Sequence, residues 1–569
     1  MDNNNFLVAV VLSVAILVGF HYLYEEPQIE KARIELRLSQ QEKEAAVKAP
    51  VVIDAPLQSR DEILDDTPRI KIETSEVRGS IQLKGARLND LELLKYRETT
   101  DPSSPEIVLL SPASSAPPHK GYVVSFGWLA KAGASVPTED TIWKADRKTL
   151  TTETPVLLSW NNGQGLLFER FIEIDENFMF TVTDRVRNKS GKEVQLYPFG
   201  SITRYGLPSV QSTYVLHEGL IGVLEGTLKE IDYEDLMEGP KESFESEGGW
   251  LGFTDKYWLV SLIPEQNEKI TASFSYEIGQ DRQHPENGVF QTDFRAAPLS
   301  IASGTMGERT THLFAGAKSV SLLDGYSETL EIPLFDRAID FGWYYYLTKP
   351  FLYLLHEFSL VLGSMALAIV LFTVLLKVLT LPLSLKSSRS MARLKELQPE
   401  IKELQERYKD DKQQANIQLM EFYKREKVSP VSGCVPMLIQ IPIFFALYKV
   451  LYVGIEMRHA PLFGWVKDMS APDPSSVLTL FGALDVSFLP HVGVWPILMG
   501  ISMFAQQKLS PQPTDKSQAR IFLFMPIMFT FMMAQIAVGL IFYWTVSNIL
   551  GIGQQWYVMY QTKMKHPKK

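Results

Sequence analysis

Residues 358–381 read FSLVLGSMALAIVLFTVLLKVLTL, twenty-four positions with one ionisable side chain, Lys377. As an α-helix such a run covers roughly 36 Å, more than the about 30 Å of hydrocarbon in a bilayer. The fold class therefore turns on this stretch. Similar runs follow at 434–453, 492–507, 521–536 and 537–559, and another of about nineteen residues precedes them at 6–24. Six spans are expected. The last two abut, which places a tight turn near Gly539. A cleavable signal peptide is the rival reading of the first run. Bulky Phe20, His21, Tyr22, Leu23 and Tyr24 stand where small residues should precede a cut, so an uncleaved anchor over 1–24 is expected.

Orientation follows from basic residues in the short loops. The 383–430 loop carries eleven, Lys386 and Arg389 through Arg425 and Lys427, against only Arg458 and Lys467 in the 454–491 loop. The first loop is thus cytoplasmic. Counting spans outward from it puts both termini in the cytoplasm and residues 25–357 outside.

Between the anchor and the later spans the pattern changes. Residues 25–64 mix charges and then break at Ala49-Pro50 and Ala55-Pro56, the composition of a linker. From 65 to 330, short alternating runs such as Ile70-Lys71-Ile72-Glu73 and Phe178-Met179-Phe180-Thr181-Val182-Thr183, with turn signals such as Asn188-Lys189-Ser190-Gly191, predict an antiparallel all-β sandwich. Over 331–357, Phe335, Ile339, Trp343, Tyr346 and Leu347 recur at helical spacing, and the aromatic cluster 343–346 suits a headgroup interface. An amphipathic helix lying on the membrane is expected, with a last soluble helix packed on the sandwich as the alternative.

Composition excludes several classes of function. The net charge of -10 argues against wrapping nucleic acid, and a lone Cys434 excludes an intramolecular disulfide and a cysteine zinc cluster. The nine histidines are scattered, with neither HExxH nor GxSxG. Gly191-Lys192 lacks the rest of a phosphate loop. No catalytic residue, metal or cofactor is expected.

What the spans do carry is a set of polar groups: Thr373, Lys377, Gln440, Gln506, Gln507, Ser547 and Asn548. A lysine at the centre of a span costs about 2.5 to 3.5 kcal/mol on insertion scales. Lys377 therefore either snorkels to the inner headgroups or faces water. Together these groups point to a wetted recess open to the cytoplasm. The spans 492–507 and 521–536 are only sixteen residues each, roughly 24 Å as helices, and either thin the bilayer over such a recess or have ends lying farther out. Met499, Met503, Met525, Met528, Met532 and Met533 crowd the same spans, suiting an adaptable apolar surface or ordinary packing against lipid. In the cytoplasmic loop Leu397, Ile401 and Leu404 lie on an apolar seam, read as a helical hairpin that is either a docking arm or a solvated connector.

Three motifs in order, Leu397-Gln398-Pro399, Gly433-Cys434-Val435-Pro436 with Gln440-Ile441-Pro442-Ile443-Phe444, and Gly539-Leu540-Ile541-Phe542-Tyr543-Trp544 with Val546-Ser547-Asn548, make residues 340–560 similar to the core of the YidC/Oxa/Alb insertase family. The anchor and large outer domain resemble its Gram-negative form. The resemblance implies a mutarotase-like β-supersandwich outside the membrane, used without sugar chemistry, and an inner-membrane insertase and chaperone. Its substrate groove would comprise Lys377, Thr373, Gln440, Tyr543, Trp544 and Asn548. Two positions depart from the family pattern: Lys377 stands where arginine is usual, losing the planar fork, and Trp544 stands in a pair that is commonly Tyr-Tyr. The stretch 477–490 is also atypical.

The expected map is an anchor at 1–24, a linker at 25–64, the periplasmic sandwich at 65–330, the interfacial helix at 331–357, a span at 358–382, the cytoplasmic hairpin at 383–430, four spans at 431–560 and a basic tail at 561–569. Expected partners are nascent membrane proteins, the Sec translocon, the ribosome, the signal recognition particle receptor and the lipid bilayer. The rival is a channel or transporter with an outer carbohydrate-binding domain, which requires a polar stripe through the full depth of several helices.

Overall fold

A computed structural model describes residues 47, 56–130, 134–208, 216–279, 283–409, 411–426, 428, 435–477, 491–509 and 516–565. The expected anchor, most of the linker, Cys434, nearly all of the 477–490 stretch and the last tail residues lie outside these. The described chain starts with a short helix α1 (Arg60–Asp65), closed by a capping box between Ser59 and Glu62.

The period-two runs become strands. In Arg69–Glu73, Ile70 and Ile72 are buried while Lys71 and Glu73 face water. Met179–Asn188 alternates likewise and pairs antiparallel with Leu166–Ile174 on one side and Met306–Ala317 on the other. The turn after it is fixed by Asn188, whose Oδ1 accepts from the Ser190 N–H at 3.0 Å while its Nδ2 donates to the carbonyls of Lys192 at 2.7 Å and Ile301 at 2.8 Å. Gly191 there takes φ +80°, open to glycine without strain. Eleven strands form one sheet and nine the other. Their inner faces meet where Ile81, Leu88 and Phe126 of the first oppose Ile172, Phe180 and Leu313 of the second.

One charged pair sits in that core. Arg170 is fully buried and forms two parallel bonds to Asp184, at 2.6 and 2.9 Å, with its guanidinium 5.6 Å from the Phe126 ring centre and 5.3 Å from that of Trp143. Two more helices belong to the sandwich, α2 (Tyr233–Glu238) and α3 (Val320–Thr329). The apolar core does not stop at its edge: buried side chains continue from the sheets through Phe335 and Leu352 to Leu447 and Phe542.

The region expected as one interfacial helix over 331–357 is built in two parts. A 3-10 turn at Phe335–Ala338 packs under the sandwich, an irregular stretch with a turn at 343–344 follows, and only then does α4 (Tyr345–Leu362) begin. Trp343 and Tyr346 are 99% and 88% exposed. Helix α4 stops at Gly363, φ +65°, and Ser364 caps α5 (Met365–Glu396) through the Leu367 N–H. The helix that carries most of the span expected over 358–382 starts at Met365 and runs through Pro382 to Glu396, so that Lys386 to Lys395 continue this helix rather than open the hairpin. The hairpin proper is α6 (Gln398–Arg407) and α7 (Lys412–Arg425), the second capped by Asp411. Then come α8 (Val435–Val453), α9 (Val494–Leu509), α10 (Lys516–Met533) and α11 (Val538–Lys565). The turn expected near Gly539 lies just before it, at 534–537.

Six spans were expected. Among the described residues one helix, α5, is long and apolar enough to cross a membrane by length and composition, with shorter apolar stretches at Leu438–Val453 and Arg520–Met533.

Charged groups seat the sandwich on the helices. Lys349 of α4 reaches Asp324 of α3 and Asp336 of the 3-10 turn, both at 2.8 Å, and Tyr345 donates to Asp336 at 2.6 Å. Burial alone would lower the Lys349 pKa, but the two carboxylates outweigh it and raise it. Arg458, beyond α8, donates to the carbonyls of Arg97 and Glu98. Lys318, wholly buried, donates to Thr254 at 2.8 Å and to the Ala338 carbonyl at 3.1 Å; burial pushes its pKa down to about 8.

Two outcomes follow from these contacts. Asp184→Asn strands a buried guanidinium and should cost about 3 to 5 kcal/mol in urea unfolding followed by tryptophan emission, whereas a paired Arg170→Met, Asp184→Leu variant should cost far less. A cost near zero for the single variant would show that the pair does not hold the core. Lys349→Met should loosen the first turns of α4 by about 1 to 2 kcal/mol, read as roughly 5- to 30-fold faster amide exchange over residues 345–352; unchanged exchange would refute the staple.

Candidate functional site

The polar groups of the helical region are distributed by their helices. Thr373 and Lys377 stand one turn apart on α5 and so share a face. Thr373 is buried and donates to the carbonyl of Ile369 at 2.6 Å, a bond within its own helix. Lys377 is half-buried, and among the described residues no acidic group is near enough to act on it. Helix α5 packs along α4 and α11. Lys377 lies twelve residues, roughly 18 Å, along the helix from Met365.

On the neighbouring helices the polar groups answer one another. Gln440 of α8 donates from Nε2 to the Tyr543 hydroxyl of α11 at 2.8 Å, and Tyr543 is 2% exposed. Asn548 of α11 donates to the Ser502 hydroxyl of α9 at 3.0 Å, and Ser502 in turn to the carbonyl of Met499 at 2.7 Å. Trp544 turns another way. Its ring meets Phe444 at 4.8 Å and Phe529 at 5.6 Å, closing an aromatic contact between α8, α10 and α11. Thus the six groove positions fall into three groups: Thr373 with Lys377, Gln440 with Tyr543, and Asn548 with Ser502, while Trp544 is packed among aromatic rings.

Sequence reading passed over two polar residues that the structure joins. Gln554 of α11 donates to the Ser384 hydroxyl of α5 at 2.6 Å, tying the two helices about two turns beyond Lys377. The signal available was the spacing: Ser547 and Gln554 lie seven apart, and so near one face of α11. Gly551 on this helix lets Gln506 approach; a Cβ there would stand 2.8 Å from the Gln506 amide nitrogen.

The methionines divide. Met499 and Met533 are buried against Ile541, whereas Met528 and Met532 are 57% and 52% exposed on α10. In the hairpin, Leu397 and Ile401 are buried with Leu394 and Phe422, and Leu404 packs against the same cluster. Expected as a docking face, these three instead close α6 against α7. The exposed apolar side chains of the hairpin are Ile417 and Met420, 46% and 56% exposed on α7.

Comparison with known proteins accords with this architecture. Residues 69–354 match the model of the YidC periplasmic domain, and residues 357–566 match that of the 60Kd inner membrane protein. The chain is 44% identical to the membrane protein insertase YidC of Methylobacterium nodulans, over 99% of this chain and 96% of that one. It is likewise 44% identical to that of Granulibacter bethesdensis, over 100% and 99%. Among solved structures it resembles an active YidC insertase with its first transmembrane domain resolved, at 16% identity and TM-score 0.36, covering 93% of this chain and 99% of that one. It also resembles a galactose mutarotase related enzyme from Lactobacillus acidophilus, at 9% identity and TM-score 0.30, covering 43% and 97%. On the two family matches and the full-length sequence identity, this chain belongs to the YidC family of membrane protein insertases, inner-membrane proteins with a periplasmic domain.

Proposed function

We propose that α5, α8, α9 and α11 enclose a recess, open to the cytoplasm, that receives the polar flank of a nascent membrane protein while its apolar segment moves into lipid. Lys377 carries this reading. A cation without an acidic partner, deep in an apolar helix, is costly unless water reaches it, and water there supplies the polar path a client flank needs. Thr373, Gln440, Tyr543 and Asn548 would line or support that path, with Trp544 packed behind them.

The short helices fit the same mechanism. At sixteen residues α9 covers about 24 Å, so the bilayer thins beside it and the polar flank crosses a shorter dry layer. Ile521, Phe524, Met528 and Phe531 give α10 an exposed apolar surface along which a client segment slides. Burial in lipid drives the step, at about 25 cal/mol per Å² of apolar area, with no nucleotide. The six spans place both termini in the cytoplasm and the sandwich outside. Ile417 and Met420, amid the basic residues of the hairpin, receive the client early, from the ribosome or the signal recognition particle receptor, and the Sec translocon is a partner for larger clients.

Charge reversal tests the recess. At about 6 Å and an effective dielectric near 20, one opposite-charge pair is worth roughly 2.8 kcal/mol before desolvation is subtracted. Lys377→Arg should be nearly silent, Lys377→Ala should slow clients with acidic translocated tails more than neutral ones, and Lys377→Glu should be worst, in an insertion assay normalised to insertase abundance. If every variant ranks the clients as the unmodified protein does, the recess does not select by charge. For the hairpin, Ile417→Ser with Met420→Ser should reduce crosslinking to ribosome-bound chains severalfold and leave its helices formed, whereas serine at Leu397, Ile401 and Leu404 should unfold it. Equal crosslinking in the first variant would reduce the arm to a connector.

A further inference from the structure

A cavity of about 1220 Å³ opens where the sandwich meets the stretch before α4 and the flank of α8. Its mouth is aromatic. Trp343 is almost fully exposed, Tyr344 lies parallel to Phe445 with ring centres 6.3 Å apart, and Tyr448 sits one turn along. The lining also carries charged groups, unevenly paired, of which the carboxylates Glu230, Asp232 and Glu234 are exposed. Strand Thr227–Asp232 and helix α2 bring in Glu230, Asp232 and Glu234. Asp232 shares one oxygen with His217 at 2.9 Å, while Glu230 and Glu234 make no ion pair or hydrogen bond among the described residues. Lys449 is taken up by Asp340 at 2.6 Å. Arg337, also in the lining, lies over the Tyr345 ring at 3.5 Å from its centre, and among the described residues its guanidinium donates to no oxygen.

A second feature leads out of this mouth. Leu438, Ile441 and Phe445 are 63%, 43% and 48% exposed, and their spacing of three and four makes one apolar stripe along α8 toward the membrane. A cavity that carries both charged and apolar groups and continues into an apolar track suits an amphiphile such as a lipid better than a wholly polar soluble ligand.

We propose that this cavity binds the headgroup of a phospholipid with a primary amine, phosphatidylethanolamine, with its acyl chains along Leu438, Ile441 and Phe445. The ammonium sits among the carboxylates Glu230 and Asp232 and the aromatic faces, and the phosphate meets Arg337. Carboxylates favour a primary over a quaternary amine, because three N–H donors can each be accepted whereas choline offers none. The site rests on the outward placement of the sandwich proposed above, which puts this end of α8 in the outer leaflet.

The test is native mass spectrometry of the full chain in detergent, titrated with dioleoyl phosphatidylethanolamine, phosphatidylcholine or phosphatidylglycerol, or with O-phosphoethanolamine lacking acyl chains. One phosphatidylethanolamine should be retained at least about fivefold more tightly than either other lipid, and O-phosphoethanolamine should not be retained at all. Glu230→Gln with Asp232→Asn should bring phosphatidylethanolamine to the level of phosphatidylcholine, and Arg337→Gln should weaken both. Thermal unfolding followed by tryptophan emission checks that each variant is folded, and Glu230→Gln alone replaces the double variant if that one is not. Equal retention of the three lipids, an undiminished preference in the folded variant, or equally tight O-phosphoethanolamine would each overturn the proposal. Lipid retention is read without a client, so its failure beside normal insertion leaves the insertase reading standing.

Discussion

A polar group set among lipid tails must find a partner within the protein or draw water to itself, because the hydrocarbon offers no hydrogen bond. The helical half of this molecule is arranged around that requirement. Gln440 answers Tyr543, Asn548 answers Ser502, and Gln554 answers Ser384, each bond joining two different helices. These pairings set which helices lie side by side. They also isolate Lys377, for which no acidic partner stands among the described residues. The proposed recess rests on that isolation.

The sandwich meets the helices through charge as well as apolar contact. Lys349 between Asp324 and Asp336, Arg458 on the carbonyls of Arg97 and Glu98, and Lys449 on Asp340 all lie where the sandwich rests on α4 and α8. Ionic contacts of this kind are individually modest at a surface. Here they are partly buried and flank a continuous apolar core, so movement of the sandwich relative to α4 must separate charges and expose Phe335 and Leu352 together. The sandwich is a seated part of the structure, not a domain hanging from a tether.

Among the described residues α5 is the helix long and apolar enough to cross a membrane by length and composition, although its second half carries Lys386, Arg389, Arg393 and Lys395. Helices α4 and α11 pack along it, whereas α9 packs on α11 and α10 on α9. The amides lie on the other helices, where they supply the interhelical bonds just described.

Much was legible in the sequence because its physical causes are local. Period-two burial fixed Arg69–Glu73 and Met179–Asn188, Asn188 and Gly191 fixed the turn between strands, and the apolar run around Lys377 fixed a membrane helix. The residues of the proposed groove were singled out by type, since an amide or lysine in an apolar run is conspicuous. What they touch was not. A seam of Leu397, Ile401 and Leu404 looks the same whether it faces a client or a second helix, and only the fold of α7 onto α6 brought Phe422 against it. Likewise Pro382 reads as a helix end in sequence, yet α5 passes through it to Glu396. Patterns along the chain determine which face of an element is apolar; which surface that face meets is decided by contacts between residues far apart in the chain, whose pairing no local spacing encodes.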